Sequence, residues 1–253
     1  MSRKPVTGIC HICGLHKKLS FEHVPPESAF NKHPVVLYEI QNLICKNPEN
    51  LPKGKKLQRG SGQYTLCEKC NNLTGHWYGS AFSDWAYQGM NVLGMTRGSD
   101  PLINIIYNIF PLRIIKQIIC MFFSANGDGF REAHPDLEEF IMSPKRKYLK
   151  PSIKIYAFYN LAERPRMSGI TGQLSIYGHQ NIFCEIAFPP IGYIMTIDSN
   201  PPAKKLTDIT YFANYDYNDW KHIDIKMHVL PVFSYLPADY RTKDSVMQAW
   251  RNG

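Results

Sequence analysis

Two Cys-x-x-Cys pairs constrain this chain more than any other feature: Cys10-His11-Ile12-Cys13 and Cys67-Glu68-Lys69-Cys70. A spacing of two residues lets both sulfurs of a pair face one metal ion from a tight turn. Gly14, directly after the first pair, lets backbone N–H groups approach the thiolates. Four thiolates make a closed tetrahedral site, which suits structural Zn²⁺ and leaves no open position for chemistry. Such a site contributes about 10–16 kcal/mol of apparent folding free energy. The competing readings of the pairs are a redox dithiol and unrelated buried thiols. Fifty-three residues separate Cys13 from Cys67, more than in compact zinc ribbons, so the metal would join segments far apart in the chain. Cys45, Cys120 and Cys184 stand singly in apolar or mixed strings and read as buried structural cysteines.

The 253 residues suffice for one large domain or two small ones, and a hydrophobic content of 44% excludes a chain disordered by composition. The N-terminus, MSRKPVTGICHICG, lacks the apolar stretch of a signal peptide. Seven cysteines without a secretory signal point to a reducing, cytoplasmic compartment rather than a disulfide framework. The most apolar stretch, Pro101–Phe123, carries Asn104, Asn108, Pro111, Arg113, Lys116 and Gln117, too many polar groups for a bilayer span. It reads as two helices, the second packed in a core. Net charge is +8, and residues 1–75 hold eleven Lys/Arg against five acids, so the basic excess is concentrated there. That asymmetry suits an anionic partner such as nucleic acid; the plainer reading is a solvated basic surface.

The expected fold class is α+β: an N-terminal zinc module, central helices, and a mainly antiparallel C-terminal sheet. Lys18–His23 and Val35–Gln41 read as strands, and residues 71–95 as a helix with one apolar face. Asp100-Pro101 and Phe110-Pro111 read as helix starts, Asn126-Gly127 as a stop, and His134-Pro135 as the start of a short acidic helix. Ile153–Tyr159, Leu174–Tyr177, Ile182–Phe188, Tyr193–Ile197 and Ile209–Ala213 read as strands, and about Thr242 to Trp250 as a closing helix. The expected division is residues 1–98 and 99–253, the second of unknown role.

Between the cysteine pairs lies Phe21-Glu22-His23-Val24-Pro25-Pro26, and directly after Cys70 come Asn71 and Asn72. Taken alone, a Glu-His pair is most often a surface feature, and an Asn after a zinc cysteine often only caps a helix. In this order, however, the strings FEHVPP and LCEKCNNLTG resemble the HNH endonuclease family. The branch is the one in which a treble-clef zinc site staples the ββα-metal motif. The resemblance spans about residues 8–80. It implies that His23 is the general base activating water. It also implies that Glu22 and Asn71 bind one catalytic divalent cation such as Mg²⁺, and that the substrate is DNA. Imidazole suits proton transfer near neutral pH, and hard oxygen donors suit Mg²⁺. Asn72 and His76 are further candidates for the Asn71 role. One position departs from the family: its middle Asn, which holds the loop carrying the general base, falls on Gly62. Gln63 or backbone contacts would have to do that work.

Lys53, Lys55, Lys56 and Arg59 lie among glycines in a loop suited to phosphate contacts, or simply to solvent. His179, His222 and His228 read as structural or surface residues, and the cluster Tyr211, Phe212, Tyr215, Tyr217 and Trp220 as core or sheet face. The expectation is a metal-dependent endonuclease. The alternative is a non-catalytic treble-clef module that binds nucleic acid or a protein.

Overall fold

The computed structural model describes residues 4–43, 53–96, 101–161, 164–174 and 180–251. Cys45, His179 and part of the expected strand Leu174–Tyr177 lie outside them. The N-terminal sheet is built from β1 (Thr7–Ile9), β2 (His16–His23) and β5 (Gly62–Cys67), with β2 central and both pairings antiparallel. Between β2 and β5 a two-stranded ladder, β3 (Val35–Leu37) and β4 (Lys55–Leu57), stands apart. The third strand is shorter than Val35–Gln41, because the chain turns at Ile40–Asn42 into a single 3₁₀ turn. In the β2–β5 ladder, Ser20 faces Leu66 but Phe21 faces Tyr64, so Thr65 is the extra residue of a bulge. Thr65 is buried, and its hydroxyl donates to Ser124 Oγ at 3.1 Å.

Helix α1 (Glu68–Thr74) starts directly from β5 and continues through a π-helical turn, Gly75–Gly79, into α2 (Ser80–Thr96). One long helix therefore replaces the expected 71–95 segment, beginning three residues earlier. Within the π turn Tyr78 is fully buried, and its hydroxyl donates to Ile141 O at 2.6 Å. Along α2 the residues Ala81, Phe82, Trp85, Ala86, Gly89, Val92 and Leu93 form the buried stripe.

The expected first helix after Pro101 is instead a strand, β6 (Leu102–Ile109). Ile103, Ile105, Ile106 and Ile109 favour extended backbone. The alternation that buries Ile103, Tyr107 and Ile109 suits an antiparallel partner, the segment Lys221–Leu230. The second expected helix exists as α3 (Pro111–Ala125), with every residue buried except Arg113 and Ala125. No helix among the described residues is long and apolar enough to cross a membrane. Short helices α4 (Gly129–Ala133) and α5 (Pro135–Met142) follow. Lys116, buried in α3, donates to the carbonyls of Phe140 and Ser143 and so caps the C-terminal end of α5.

The C-terminal half supplies β7 (Ile153–Asn160), β8 (Arg166–Leu174), β9 (Gln180–Ala187), β10 (Ile191–Ile197), β11 (Thr207–Asp208) and β12 (Lys221–Leu230). The seven-stranded sheet runs β6-β12-β7-β10-β9-β8, with β11 also on β7. All pairings are antiparallel except the end of β12 on β7, where Val229 and Leu230 meet Tyr159 and Asn160. Ile209–Ala213, expected as a strand, is a 3₁₀ turn at Thr210–Asn214. Thr210 Oγ1 accepts from Ile155 N at 2.9 Å, and Phe212 enters the core, so the segment seals the edge of β7 rather than extending the sheet. Helix α6 (Lys243–Arg251) closes the chain.

Alternation along β7 sorts the core. Ile155, Ala157 and Tyr159 join the large cluster under the helices, while Tyr156 and Phe158 pack beneath Leu230, Val232 and Tyr240. The large cluster runs without interruption from Cys10 and Leu66 to Ile225 and Met227.

Candidate metal centre and active site

The first cysteine pair sits in the tight turn between β1 and β2. Gly14 there adopts φ +68°, and its N–H donates to Cys10 O at 2.8 Å. Cys67 is the last residue of β5, and Cys70 lies in the first turn of α1. These elements bring all four sulfurs within 4.8 Å of one another, with Cys10, Cys67 and Cys70 buried. Cys13 Sγ lies 3.9 Å from Cys67 Sγ, and Cys67 N donates to Cys10 Sγ at 3.3 Å. The Cys10 thiol is pulled down to about 4, mainly because Cys70 donates to its sulfur and in part because the N–H groups of Cys13, Cys67 and Ile12 point at it. Cys70, on the donating side of that pair, is pushed up. Four clustered sulfurs in a knuckle, hairpin and helix order are placed to hold a metal ion such as zinc, and no other group of three or more His, Cys, Asp or Glu side chains gathers this way among the described residues. His11 fastens the knuckle to the core: its N–H donates to Thr65 O at 2.9 Å, and its Nδ1 lies 3.1 Å from Phe123 O.

The same hairpin and helix position the second group of residues. His23 ends β2 opposite Gly62, and its Nε2 lies 2.7 Å from Arg59 O. A carbonyl only accepts, so Nε2 carries a proton, and in the neutral ring Nδ1 is the nitrogen with the lone pair. Phe21 braces the ring edge-on at 5.0 Å. Glu22, next in the strand, is only 7% exposed. Burial pushes its carboxyl up to about 8, and a hydrogen bond from Asn71 opposes that shift only in part. Asn71 Nδ2 also donates to Ser20 Oγ at 3.1 Å. Its side chain thus reaches across to β2 instead of capping α1, whose N-cap is Cys67. Asn71 turns its amide N–H groups toward Glu22 and Ser20 at the strand–helix junction. Asn72 and His76 are exposed on the helix, His76 inside the π turn. Such turns recur at functional sites.

Gly62 cannot be an asparagine in this frame. A Cβ there would stand 2.3 Å from Glu22 O and 2.7 Å from the Phe21 ring. Sequence reasoning missed Asn31, which is 1% exposed. Its Nδ2 donates to Pro25 O at 2.6 Å and to Ser61 O at 2.7 Å, and its Oδ1 accepts from Ser61 N at 2.7 Å. Neither spacing nor hydropathy marks this residue, because its partners are main-chain groups brought near by folding.

Lys55 and Lys56 lie on β4, and Lys53 and Arg59 flank it; all four are exposed. Arg59 forms a loose pair with Glu27 at 3.8 Å, both well exposed, which holds little energy. Because the Arg59 carbonyl also holds His23, the basic loop and the imidazole are joined through one residue. On the far sheet, His222 bonds to Asn108, and His228 Nδ1 lies 3.2 Å from Pro101 O. Phe212 is buried, Tyr217 packs against Arg113 at 4.1 Å, and Trp220 is half exposed. Comparison with models of known families, with curated proteins and with solved structures finds no match for this chain.

Proposed function

We propose that this protein is a cytoplasmic, metal-dependent endonuclease of HNH type, with His23 as general base. One observation carries the reading: His23 Nε2 is held by Arg59 O at 2.7 Å, which leaves Nδ1 of the neutral ring as a fixed acceptor at the end of the strand that also carries Glu22. An imidazole held in one tautomer is prepared to take a proton from an attacking water. Glu22 and Asn71 would hold the divalent cation, which when bound supplies Lewis-acid stabilisation of the phosphodiester. Lys53, Lys55, Lys56 and Arg59 contact the backbone phosphates of a nucleic acid, DNA by the resemblance of the FEHVPP and LCEKCNNLTG strings. Zinc on Cys10, Cys13, Cys67 and Cys70 holds hairpin and helix together without entering the chemistry. The test is nicking of supercoiled plasmid in Mg²⁺ or Mn²⁺ by the wild type beside His23→Ala, with zinc content measured in both.

A second reading is favoured by the burial of Glu22, a residue only 7% exposed, which shields its carboxyl from an incoming ion. On that reading the module binds nucleic acid, or a protein partner, without cutting. It gives salt-dependent DNA retention and no nicking with Mg²⁺, Mn²⁺ or Ni²⁺.

A further inference from the structure

Two loops must keep their spacing if His23 is to stay on Arg59. One leaves β2 through Val24-Pro25-Pro26, and the other enters β5 through Arg59-Gly60-Ser61. Asn31 lies between them. Its amide uses both N–H groups and the oxygen on three main-chain partners: Pro25 O, two residues beyond His23, and both Ser61 O and Ser61 N, two residues beyond Arg59. Ser61 O accepts in addition from Val24 N at 3.0 Å, so the two loops are stitched at adjacent positions. Gly60 permits the approach. It adopts φ +90°, and a Cβ there would lie 2.1 Å from Asn31 O and 2.6 Å from Asn31 Oδ1.

We infer that Asn31 is the positioning residue that sets the His23 tautomer, through the clamp it forms on Pro25 and Ser61. The inference rests on the nuclease reading for its catalytic consequence, but its structural content concerns His23 alone. An amide at position 31 is required because the site needs two donors and one acceptor in a single buried plane. A carboxylate supplies no donors, and a serine supplies one. Without the clamp the Arg59 carbonyl drifts from Nε2 and both imidazole tautomers become populated.

The experiment compares wild type with Asn31→Asp and Asn31→Ser, each checked for bound zinc and for near-ultraviolet circular dichroism. Nitrogen-15 NMR of the histidine rings, with His23 assigned by its absence in His23→Ala, reads the tautomer without DNA or Mg²⁺. The wild type is expected to show the Nε2–H form, and both variants a mixture, with native zinc content. Plasmid nicking in the variants is expected to lose about 10–100-fold in kcat while KM moves little, as for other residues that orient a functional group. Gly60→Ala, which crowds Asn31, is expected to give the same NMR signature. A wild-type His23 in the Nδ1–H form overturns the inference. So does a folded Asn31 variant with an unchanged tautomer, or variants that lose zinc and fold altogether, since Asn31 would then serve stability only. Tautomer loss in the variants with no nicking by the wild type would uphold the positioning role and remove the nuclease reading.

Discussion

His23 Nε2 donates to the carbonyl oxygen of Arg59 across 2.7 Å, joining the end of β2 to the basic loop before β5. On the proposed reading the bond leaves a single nitrogen, Nδ1, to act on water. Replacing His23 by Ala removes that acceptor without touching a cysteine or a buried apolar residue. Nicking is expected to fall by about 10²–10⁴-fold with zinc content and melting temperature near wild type. Equal rates in clean preparations of both proteins would remove His23 from the chemistry.

Glu22 carries a pH signature of its own. Its carboxyl is pushed up to about 8 by burial, from an ordinary value of 4.5. Between those values the folded protein holds a proton that the unfolded chain has released. The stability contribution is therefore fully present below the ordinary value and is lost as pH rises through about 8. Urea denaturation at about pH 6 and pH 9 is expected to show a loss in the wild type that Glu22→Gln lacks. Mn²⁺ should restore stability to the wild type at the higher pH by pairing with the carboxylate, and should do nothing for the variant. A pH dependence shared equally by wild type and variant would assign it to other groups.

The cysteine cluster ties β1, β2, β5 and α1 to one point. Cys67→Ser is expected to abolish stoichiometric zinc and to unfold more than the N-terminal hairpin, because the apolar cluster runs unbroken from Cys10 to Met227. The lost metal is worth about 10–16 kcal/mol in comparable sites. Metal analysis with titration of released thiols checks the stoichiometry, and a chelator melt checks the extent of unfolding. A variant with full zinc and an unchanged melt would contradict the assignment of Cys67.

Lys53, Lys55, Lys56 and Arg59 are exposed and lie on one loop and strand. Each that contacts a phosphate adds about 0.9 to the slope of log K against log salt. Alanine at any one of them is expected to flatten the slope by about that amount and to weaken binding equally across DNA sequences. Fluorescence anisotropy over a salt series measures it. A slope unchanged by all four substitutions would place the phosphate contacts elsewhere.

Away from the site, Arg166 and Glu185 form a buried ion pair at 2.9 Å. The same guanidinium donates to the carbonyls of Ser234, Leu236 and Asp239, and Tyr240 donates to Glu185 at 2.8 Å. Glu185→Ala leaves the cation buried without its partner and is expected to cost about 3–5 kcal/mol, read from urea denaturation. A cost below about 1 kcal/mol would mean that solvent reaches Arg166.

The local chemistry of the chain was sufficient for its most regular parts. Two Cys-x-x-Cys turns announce the cluster, Pro111 and Asn126 bracket α3, and the apolar stripe Ala81, Phe82, Trp85 and Ala86 announces α2. β6 misled because a proline after an aspartate suits a helix start, and its β-branched run became decisive only once a partner was present. That partner, β12, escaped notice although Ile223, Ile225 and Met227 alternate with Asp224 and Lys226 in strand periodicity. Ile209–Ala213 has strand-like residues, yet Thr210 and Phe212 are used to seal β7.

The sequence by itself determined the four-sulfur cluster and the basic N-terminal third, because each depends on residue type and short spacing, and it offered Glu22, His23 and Asn71 through the resemblance of the FEHVPP and LCEKCNNLTG strings. Only the tertiary structure decided that Asn71 turns to Glu22 rather than capping a helix, that Gly62 has no room for a side chain, and that Asn31 clamps the loops around His23. The reason is physical: apart from the bond of Asn31 to Pro25, these relations join residues about 30 to 51 positions apart, many through main-chain atoms, and such separations close only when the core forms around them.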